Sequence, residues 1–386
     1  MKDTLRSFRR SFRAWRNFNR LEHEKHYYRE KFRANRLSIP SEIEICERIS
    51  RRFPDQIPKP KGDLHILAIY HDYNWEYSSF NPSLSTFGDV RHLDWRDPAL
   101  AGGKHLSDAG WMRAMNEGLL GVIHSSEKIR PFDVIFTYLS GEQVDSVTLE
   151  KLRCLGTLIV NLALNDKETF VGKERGGRAA GARDISRYFD MCWTSTVDAL
   201  EKYVVEGATP LYLPEGANPD IHRPYDEEKI YDVSFVGQCY GKRPEVIAKL
   251  REAGIHVETF GPGWPRGSVT TEEMVRTWSR SKINLGFGGV LGHKNTYCLK
   301  GRDFEVPMSG GLYLTEHHEE LTTFYDIGHE IITYTGFNDL VEKIRWLLSK
   351  PEEADLIRCA GYARALREHS WEMRFDRVFR MVGALA

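Results

Sequence analysis

Residues 300–315, Lys-Gly-Arg-Asp-Phe-Glu-Val-Pro-Met-Ser-Gly-Gly-Leu-Tyr-Leu-Thr, hold two cations, a spaced glutamate and a glycine pair in one short stretch. The pattern predicts a short helix followed by a buried strand. A helix start bearing Lys300 and Arg302 suits a phosphorylated ligand, because free backbone N–H groups and the helix dipole already favour an anion there. Glu305, one turn further on, is spaced to accept hydrogen bonds from sugar hydroxyls. Gly310 and Gly311 would let backbone approach a ligand. The combination points to a nucleotide-sugar site. The plainer reading of Lys300 and Arg302 is a surface ion pair with Asp303.

Three further loops share this logic. Gly237-Gln-Cys-Tyr-Gly-Lys-Arg243 offers Gly237 for backbone approach, with Lys242 and Arg243 for phosphate. Glycine-rich turns between strand and helix are common, so solvated cations on an ordinary loop are the alternative. Gly261-Pro-Gly-Trp264 presents Gly261, Gly263 and a Trp264 ring that either stacks on a nucleobase or belongs to a plain turn. Gly286-Phe-Gly-Gly289 precedes the cationic segment, and Gly286 and Gly288 are candidates for backbone contact with a sugar or diphosphate.

The first half of the chain supplies candidate bases. His71-Asp-Tyr-Asn-Trp-Glu76 follows an apolar run, and His71, Asp72 and Glu76 are each able to take a proton from an acceptor hydroxyl. Asp166, in Asn165-Asp-Lys167, is a further candidate. Asp and Asn at strand ends also serve simply to make turns. Glu215-Gly-Ala-Asn218 either lines a cleft or acts as a hinge. The adjacent His317-His318 pair lacks a spaced carboxylate partner and makes a poor metal site. No D-x-D, H-E-x-x-H or G-x-S-x-G occurs.

These residues need a scaffold that brings loops to one edge. Short apolar runs at 64–70, 90–95, 132–138, 157–164, 191–194 and 210–213 read as strands. Helical stretches at 107–123, 144–155 and 197–206 alternate with them. The pattern restarts at Tyr231, with strands at 232–236, 255–260, 282–287, 312–315 and 331–333. Helices are predicted over 244–253, from a Thr270-x-x-Glu273 capping box, and over 339–349, 352–368 and 371–385. Alternation of this kind predicts α/β modules on parallel sheets covered on both faces. Two modules joined near 219–228 imply a cleft, with ligands beyond the carboxyl ends of the strands.

At 386 residues the chain accommodates two such domains. The formal net charge is −1, unevenly spread. Residues 1–36 carry twelve Lys/Arg against four Asp/Glu, which leaves 42 basic against 51 acidic side chains elsewhere. With the rest acidic, nucleic-acid binding is not expected. On a helix, Phe8, Phe12, Trp15 and Asn19 share one face, flanked by Arg9, Arg13, Arg16 and Arg20. That is the pattern of an interfacial helix on anionic lipid; a helix packed on the domain or a partner is the alternative. Residues 53–62 hold three prolines and read as a linker. Six scattered cysteines without a C-x-x-C pair suit a reducing compartment. Neither a membrane span nor a signal peptide is apparent. The expected location is cytoplasmic, with the arm at the inner face of the membrane.

Over residues 231–382 the chain resembles the CgeB-like, spore-maturation-type glycosyltransferases of the GT-B superfamily. The resemblance rests on Asp232-Val-Ser-Phe-Val-Gly237, Phe260-Gly-Pro-Gly-Trp264, Ser281-Lys-Ile-Asn-Leu285, Lys300-Gly-Arg-Asp-Phe-Glu305, Gly310-Gly311 with Leu314-Thr315, and His369-Ser-Trp371 with Arg374. It implies an α/β GT-B architecture of two facing Rossmann-like domains. Their expected limits are 61–225 on the acceptor side and 226–370 for the nucleotide sugar, with 1–60 as arm and linker and 371–386 crossing back. It further implies that Glu305 binds the donor ribose and that cations rather than a metal neutralise the leaving diphosphate. Related enzymes often carry another glutamate where Tyr297 stands, and its absence puts a retaining mechanism in doubt. The expected activity is metal-independent and cofactor-free transfer from a nucleotide-diphosphate sugar to a glycan, lipid, protein or small-molecule acceptor. The rival readings are a GT-B-type sugar-nucleotide epimerase and a non-catalytic, membrane-associated binding protein.

Overall fold

The computed structural model describes residues 2–386, with side chains from residue 12 onward. Phe8 and Arg9 therefore lie outside the described side chains. The chain forms two compact units. The first comprises His23–Pro214 and Trp371–Ala386; the second comprises Met1–Glu22 and Glu215–Ser370.

The first unit is built on strands β1 (Leu64–Ile69), β2 (Gly88–Leu93), β3 (Val134–Thr137) and β4 (Leu158–Ala163). A small antiparallel hairpin follows, β5 (Glu174–Arg175) with β6 (Arg178–Ala179), and then β7 (Met191–Thr194) and β8 (Pro210–Tyr212). The main sheet is parallel, in the order β2-β1-β3-β4-β7-β8. Ile66 lies opposite both Val90 and Val134. Alternate residues serve opposite faces, so a strand buried on both sides must be apolar throughout. Leu67, Ile69, Ile135 and Ile159 pack against Met115, Leu119 and Ile123 of helix Trp111–Glu127. Ile66, Ala68, Val134, Phe136 and Val160 meet Phe80, Trp371, Phe375 and Phe379 on the other face. The last three recur at helical spacing along helix Trp371–Met381.

Two helices of this unit escape the sequence pattern. Helix Glu42–Arg52 starts at Ser41, whose hydroxyl accepts from the Glu44 amide while the Glu44 carboxylate accepts from the Ser41 amide. It occupies part of what reads as arm and linker. Helix Glu76–Ser85 contains Pro82, a residue that removes one helix hydrogen bond. Burial of Phe80 and Leu84 outweighs the lost amide donor. The helix predicted over 107–123 runs instead over Trp111–Glu127, because residues before Gly110 form turns.

The second unit carries strands β9 (Tyr231–Val236), β10 (Val257–Phe260), β11 (Ser281–Leu285), β12 (Tyr313–Glu316) and β13 (Ile332–Tyr334). The sheet is again parallel, in the order β10-β9-β11-β12-β13. Val233, Phe235, Ile283, Leu285 and Leu314 pack on Ile247, Leu250, Leu340 and Ile344. Val236, Phe260 and Tyr313 pack on Val275, Trp278, Phe304 and Ala365. Helix Thr271–Ser279 has half of the expected capping box. The Thr270 hydroxyl accepts from the Glu273 amide, but the Glu273 carboxylate is drawn to Arg280.

The N-terminal helix spans Lys2–Ala34. Residues 24–29 pack on the first unit, the plainer of the two readings for that stretch. Lys202 bonds Glu24 at 2.7 Å, Lys25 pairs with Asp198 at 2.8 Å, and the Tyr28 hydroxyl donates to Glu206 at 2.7 Å. Nearer the N-terminus, Phe12 and Trp15 are half exposed and their rings lie 6.0 Å apart. Among the described residues, no helix is long and apolar enough to cross a membrane.

Candidate functional site

In the second unit, β9 ends at Val236 and the chain turns through Gly237 towards helix Arg243–Glu252. Parallel strands expose their last carbonyls and the loops that follow at one edge, so residues 237–243, 261–264 and 286–300 gather there. A Cβ on Gly237 would meet the Phe235 ring at 2.8 Å and Nη1 of Arg302 at 3.3 Å, so the absent side chain leaves room for both. Arg243 is almost fully buried, lies over the Tyr240 ring at 3.9 Å, and donates from Nη1 to the Gln238 carbonyl at 3.0 Å. Both guanidinium groups lie near the Phe235 ring, at 5.2 Å for Arg243 and 5.9 Å for Arg302. Buried Nη2 of Arg243 and Nε of Arg302 have no protein acceptor. Burial, and then Arg302, hold the Arg243 pKa below its ordinary value. Two cations in one place with unfilled buried donors suit an anion.

The segment after Lys300 forms helix Gly301–Met308. Asp303 does not pair at the surface with Lys300 or Arg302. It is buried, accepts from the Lys300 amide and the Tyr313 hydroxyl at 2.7 Å each, and is pushed up to about 6 by burial. Lys300 Nζ lies 2.8 Å from the Cys298 sulfur. Glu305 is partly exposed, with Oε1 3.8 Å from Nε2 of buried His222. Burial holds the His222 imidazole below its ordinary pKa. Glu215, expected to line a cleft or act as a hinge, reaches the same place. Its Oε2 lies 3.1 Å from the position of a Cβ on Gly301, and Glu305 Oε1 lies 3.0 Å from that position. Burial, and next the Glu305 charge, push Glu215 up to about 8.

Several candidate ligand contacts are occupied by the fold itself. Trp264 does not offer a stacking face: it packs edge-on to Phe235 and its Nε1 donates to the Gly237 carbonyl at 2.8 Å. Gly261 and Gly263 buttress the same turn, against the Gly237 carbonyl and Cys239. Gly286 is walled by Tyr313 and Thr315; its amide donates to Leu314 and its carbonyl accepts from Tyr334. Gly288 accepts from the Cys298 amide and borders His318. Gly310 and Gly311 end the helix and enter β12 at its amino end, against Pro224, Asn284 and Val306, away from the ligand edge. Lys242 is exposed at the start of its helix. Arg243, Arg302, Lys300, Glu305 and Gly237 remain as the assembled set.

In the first unit, Ile69 pairs with Leu93, so the residues just beyond β1 and β2 are neighbours. His71 and Asp94 meet there, with Nδ1 2.9 Å from the carboxylate. Asp94 also accepts from the Arg96 amide at 2.8 Å. The His71 ring lies 4.6 Å from Tyr73 and 5.3 Å from Trp95. Sequence spacing conceals Asp94, because only the pairing of β1 with β2 places it beside His71. The other candidates are less free. Glu76 is buried, and one of its carboxylate oxygens accepts from the amides of Tyr73, Asn74 and Trp75, which makes it a turn anchor rather than a base. Asp166 is buried, bonded by the Tyr203 hydroxyl at 2.9 Å and pushed up to about 7 by burial, so an acceptor cannot reach it. Asp72 is exposed and accepts from the Tyr77 amide at 3.2 Å. Among the described residues, no group of three His, Cys, Asp or Glu side chains is arranged to hold a metal.

A glycosyl transferase-like family model matches residues 243–380. No curated protein sequence matches significantly. Among solved structures, sucrose-phosphate synthase from Thermosynechococcus elongatus superposes with a TM-score of 0.61 at 10% identity, over 83% of this chain and 100% of that one. A glycosyltransferase from Rickettsia africae ESF-5 gives 0.58 at 9% identity, over 83% and 98%. Anabaena HepE in complex with UDP and glucose gives 0.54 at 8% identity, over 84% and 100%. The two parallel α/β units thus form the GT-B fold of these glycosyltransferases.

Proposed function

We propose that the chain is a glycosyltransferase that moves a sugar from a nucleoside-diphosphate sugar to an acceptor hydroxyl without a resident metal. The Arg243–Arg302 pair beside Gly237 carries this reading, because buried Nη2 of Arg243 and Nε of Arg302 have no protein acceptor. The family match over 243–380 covers this pair, and a fold relative crystallised with UDP and glucose supports a uridine donor. The motifs of the second half favour the CgeB-like subgroup.

In this reading the diphosphate lies against Arg302, Arg243 and the start of helix Gly301–Met308, where fixed donors and the helix dipole stabilise the leaving charge. Glu305 accepts from the ribose. In the first unit His71 is the general base: Asp94 holds Nδ1–H, which leaves Nε2 to take the acceptor proton. The bond from the sugar carbon to the diphosphate oxygen breaks as the acceptor oxygen attacks, and nucleoside diphosphate departs with the bonding electrons. Exposed Phe12 and Trp15 beside Arg13 and Arg16 support a contact of the arm with anionic lipid.

The test is a thermal-shift and turnover panel of UDP-, GDP-, dTDP-, ADP- and CMP-sugars on wild type and Arg302→Ala. One donor class should stabilise wild type and not the variant. Equal stabilisation and turnover in both would remove the diphosphate assignment.

A further inference from the structure

Glu215 and Glu305 come from separate segments and converge over one backbone atom. Each places an oxygen within 3.0–3.1 Å of the point where a side chain on Gly301 would begin. Glycine at 301 thus lets two carboxylates close on one point of the helix start, and Glu215 and Glu305 are both partly open to solvent. Lys300, Arg302 and Asp303 act on Glu215 from the helix, and His222 faces Glu305 from the segment 215–222. Two carboxylates this close and partly desolvated do not both ionise, so one keeps its proton. Glu215, pushed up to about 8, is that one.

We infer that Glu215 and Glu305 form an acid–carboxylate clamp for a vicinal diol, the ribose 2′- and 3′-hydroxyls of the donor. A carboxylic acid donates one hydrogen bond while a carboxylate only accepts, so the pair is complementary to two adjacent hydroxyls, each both donor and acceptor. Glu215 is then a specificity-determining residue for ribonucleotide over deoxyribonucleotide. The inference rests on the donor reading above and adds to it a second carboxylate, its protonation state and the group it selects.

The test is calorimetric binding of UDP, GDP and ADP, continued with the tightest of them and its 2′,3′-dideoxy analogue. Wild type should lose about tenfold in affinity between pH 7 and pH 9 as Glu215 ionises, beyond any change shown by Glu215→Gln, which keeps a neutral donor. Wild type should prefer the ribonucleotide at least tenfold, and Glu215→Ala should reduce that preference severalfold. Gly301→Ala, whose Cβ crowds both carboxylates, should weaken binding of the ribonucleotide severalfold more than that of its dideoxy analogue. A pH slope as steep in Glu215→Gln as in wild type, or an undiminished ribose preference in Glu215→Ala, overturns the clamp while the donor reading stands. Failure of the donor reading looks different: no nucleotide binds, or Arg302→Ala binds as wild type does, and the clamp falls with it.

Discussion

The guanidinium of Arg302 and the Phe235 ring share the space that a side chain on Gly237 would need, with Nη1 3.3 Å and the ring's Cζ 2.8 Å from the Cβ position. Residues 65 positions apart in sequence, one just past β9 and the other in the first turn of helix Gly301–Met308, are thereby fitted to each other. Arg302→Ala should keep the fold and lower kcat at least 100-fold, in line with the loss of one preorganised donor. Gly237→Val should produce a similar loss by crowding the Phe235 ring and the guanidinium together. Steady-state kinetics with the best donor, alongside circular dichroism, checks both; full activity in either variant contradicts the arrangement.

His71→Ala should lower kcat by about 100- to 10,000-fold, the usual contribution of a positioned general base. Nucleotide affinity should be unchanged, because the proposed nucleotide contacts are Arg243, Arg302 and Glu305. Asp94→Asn should lower kcat less than His71→Ala does. Transfer assays paired with calorimetry read this, and a His71→Ala enzyme with normal kcat excludes the role.

Glu215 carries a stability signature independent of activity. Its folded pKa, about 8, lies above the ordinary glutamate value of 4.5. The native state therefore holds more protons than the unfolded state between those values, and stability falls as pH rises through the window. Glu215→Gln should flatten that fall, so that the variant gains on wild type by about 5 °C in Tm at pH 9 relative to pH 5. Parallel melting curves across pH 5–9 test it, and identical slopes would refute it.

Glu76→Ala should destabilise without abolishing chemistry. Three amides lose their shared acceptor, at a cost of about 1–3 kcal/mol. The expected result is a lower Tm with activity per folded molecule close to wild type. Loss of kcat at unchanged Tm would return Glu76 to the catalytic candidates.

Phe12→Ser with Trp15→Ser should reduce sedimentation with vesicles containing phosphatidylserine, while leaving Tm within a few degrees. The two rings are exposed and contribute little to either core. Binding that is unchanged by the double substitution excludes the arm as a lipid contact.

The parallel sheets and the cationic stretch are legible in one dimension. Strands buried on both faces must be continuously apolar, and such runs as Leu64–Ile69 and Tyr231–Val236 announce themselves in one dimension. Arg302 and Glu305 were visible for a similar reason, because their spacing along one short helix is local. Glycines were less informative, since the same residue type serves ligand approach, tight packing and chain reversal. Only tertiary contacts separate Gly237, which makes room for Arg302, from Gly286 and Gly310, which make room for Tyr313 and Pro224. Trp264 and Glu76 were drawn inward by partners that periodicity does not reveal, a carbonyl and three amides. Asp94 and Glu215 acquired their places through strand pairing and chain return. His71 with Asp94, and Glu215 with Glu305, are pairs separated in sequence and joined by the fold, because proximity through space depends on register and packing.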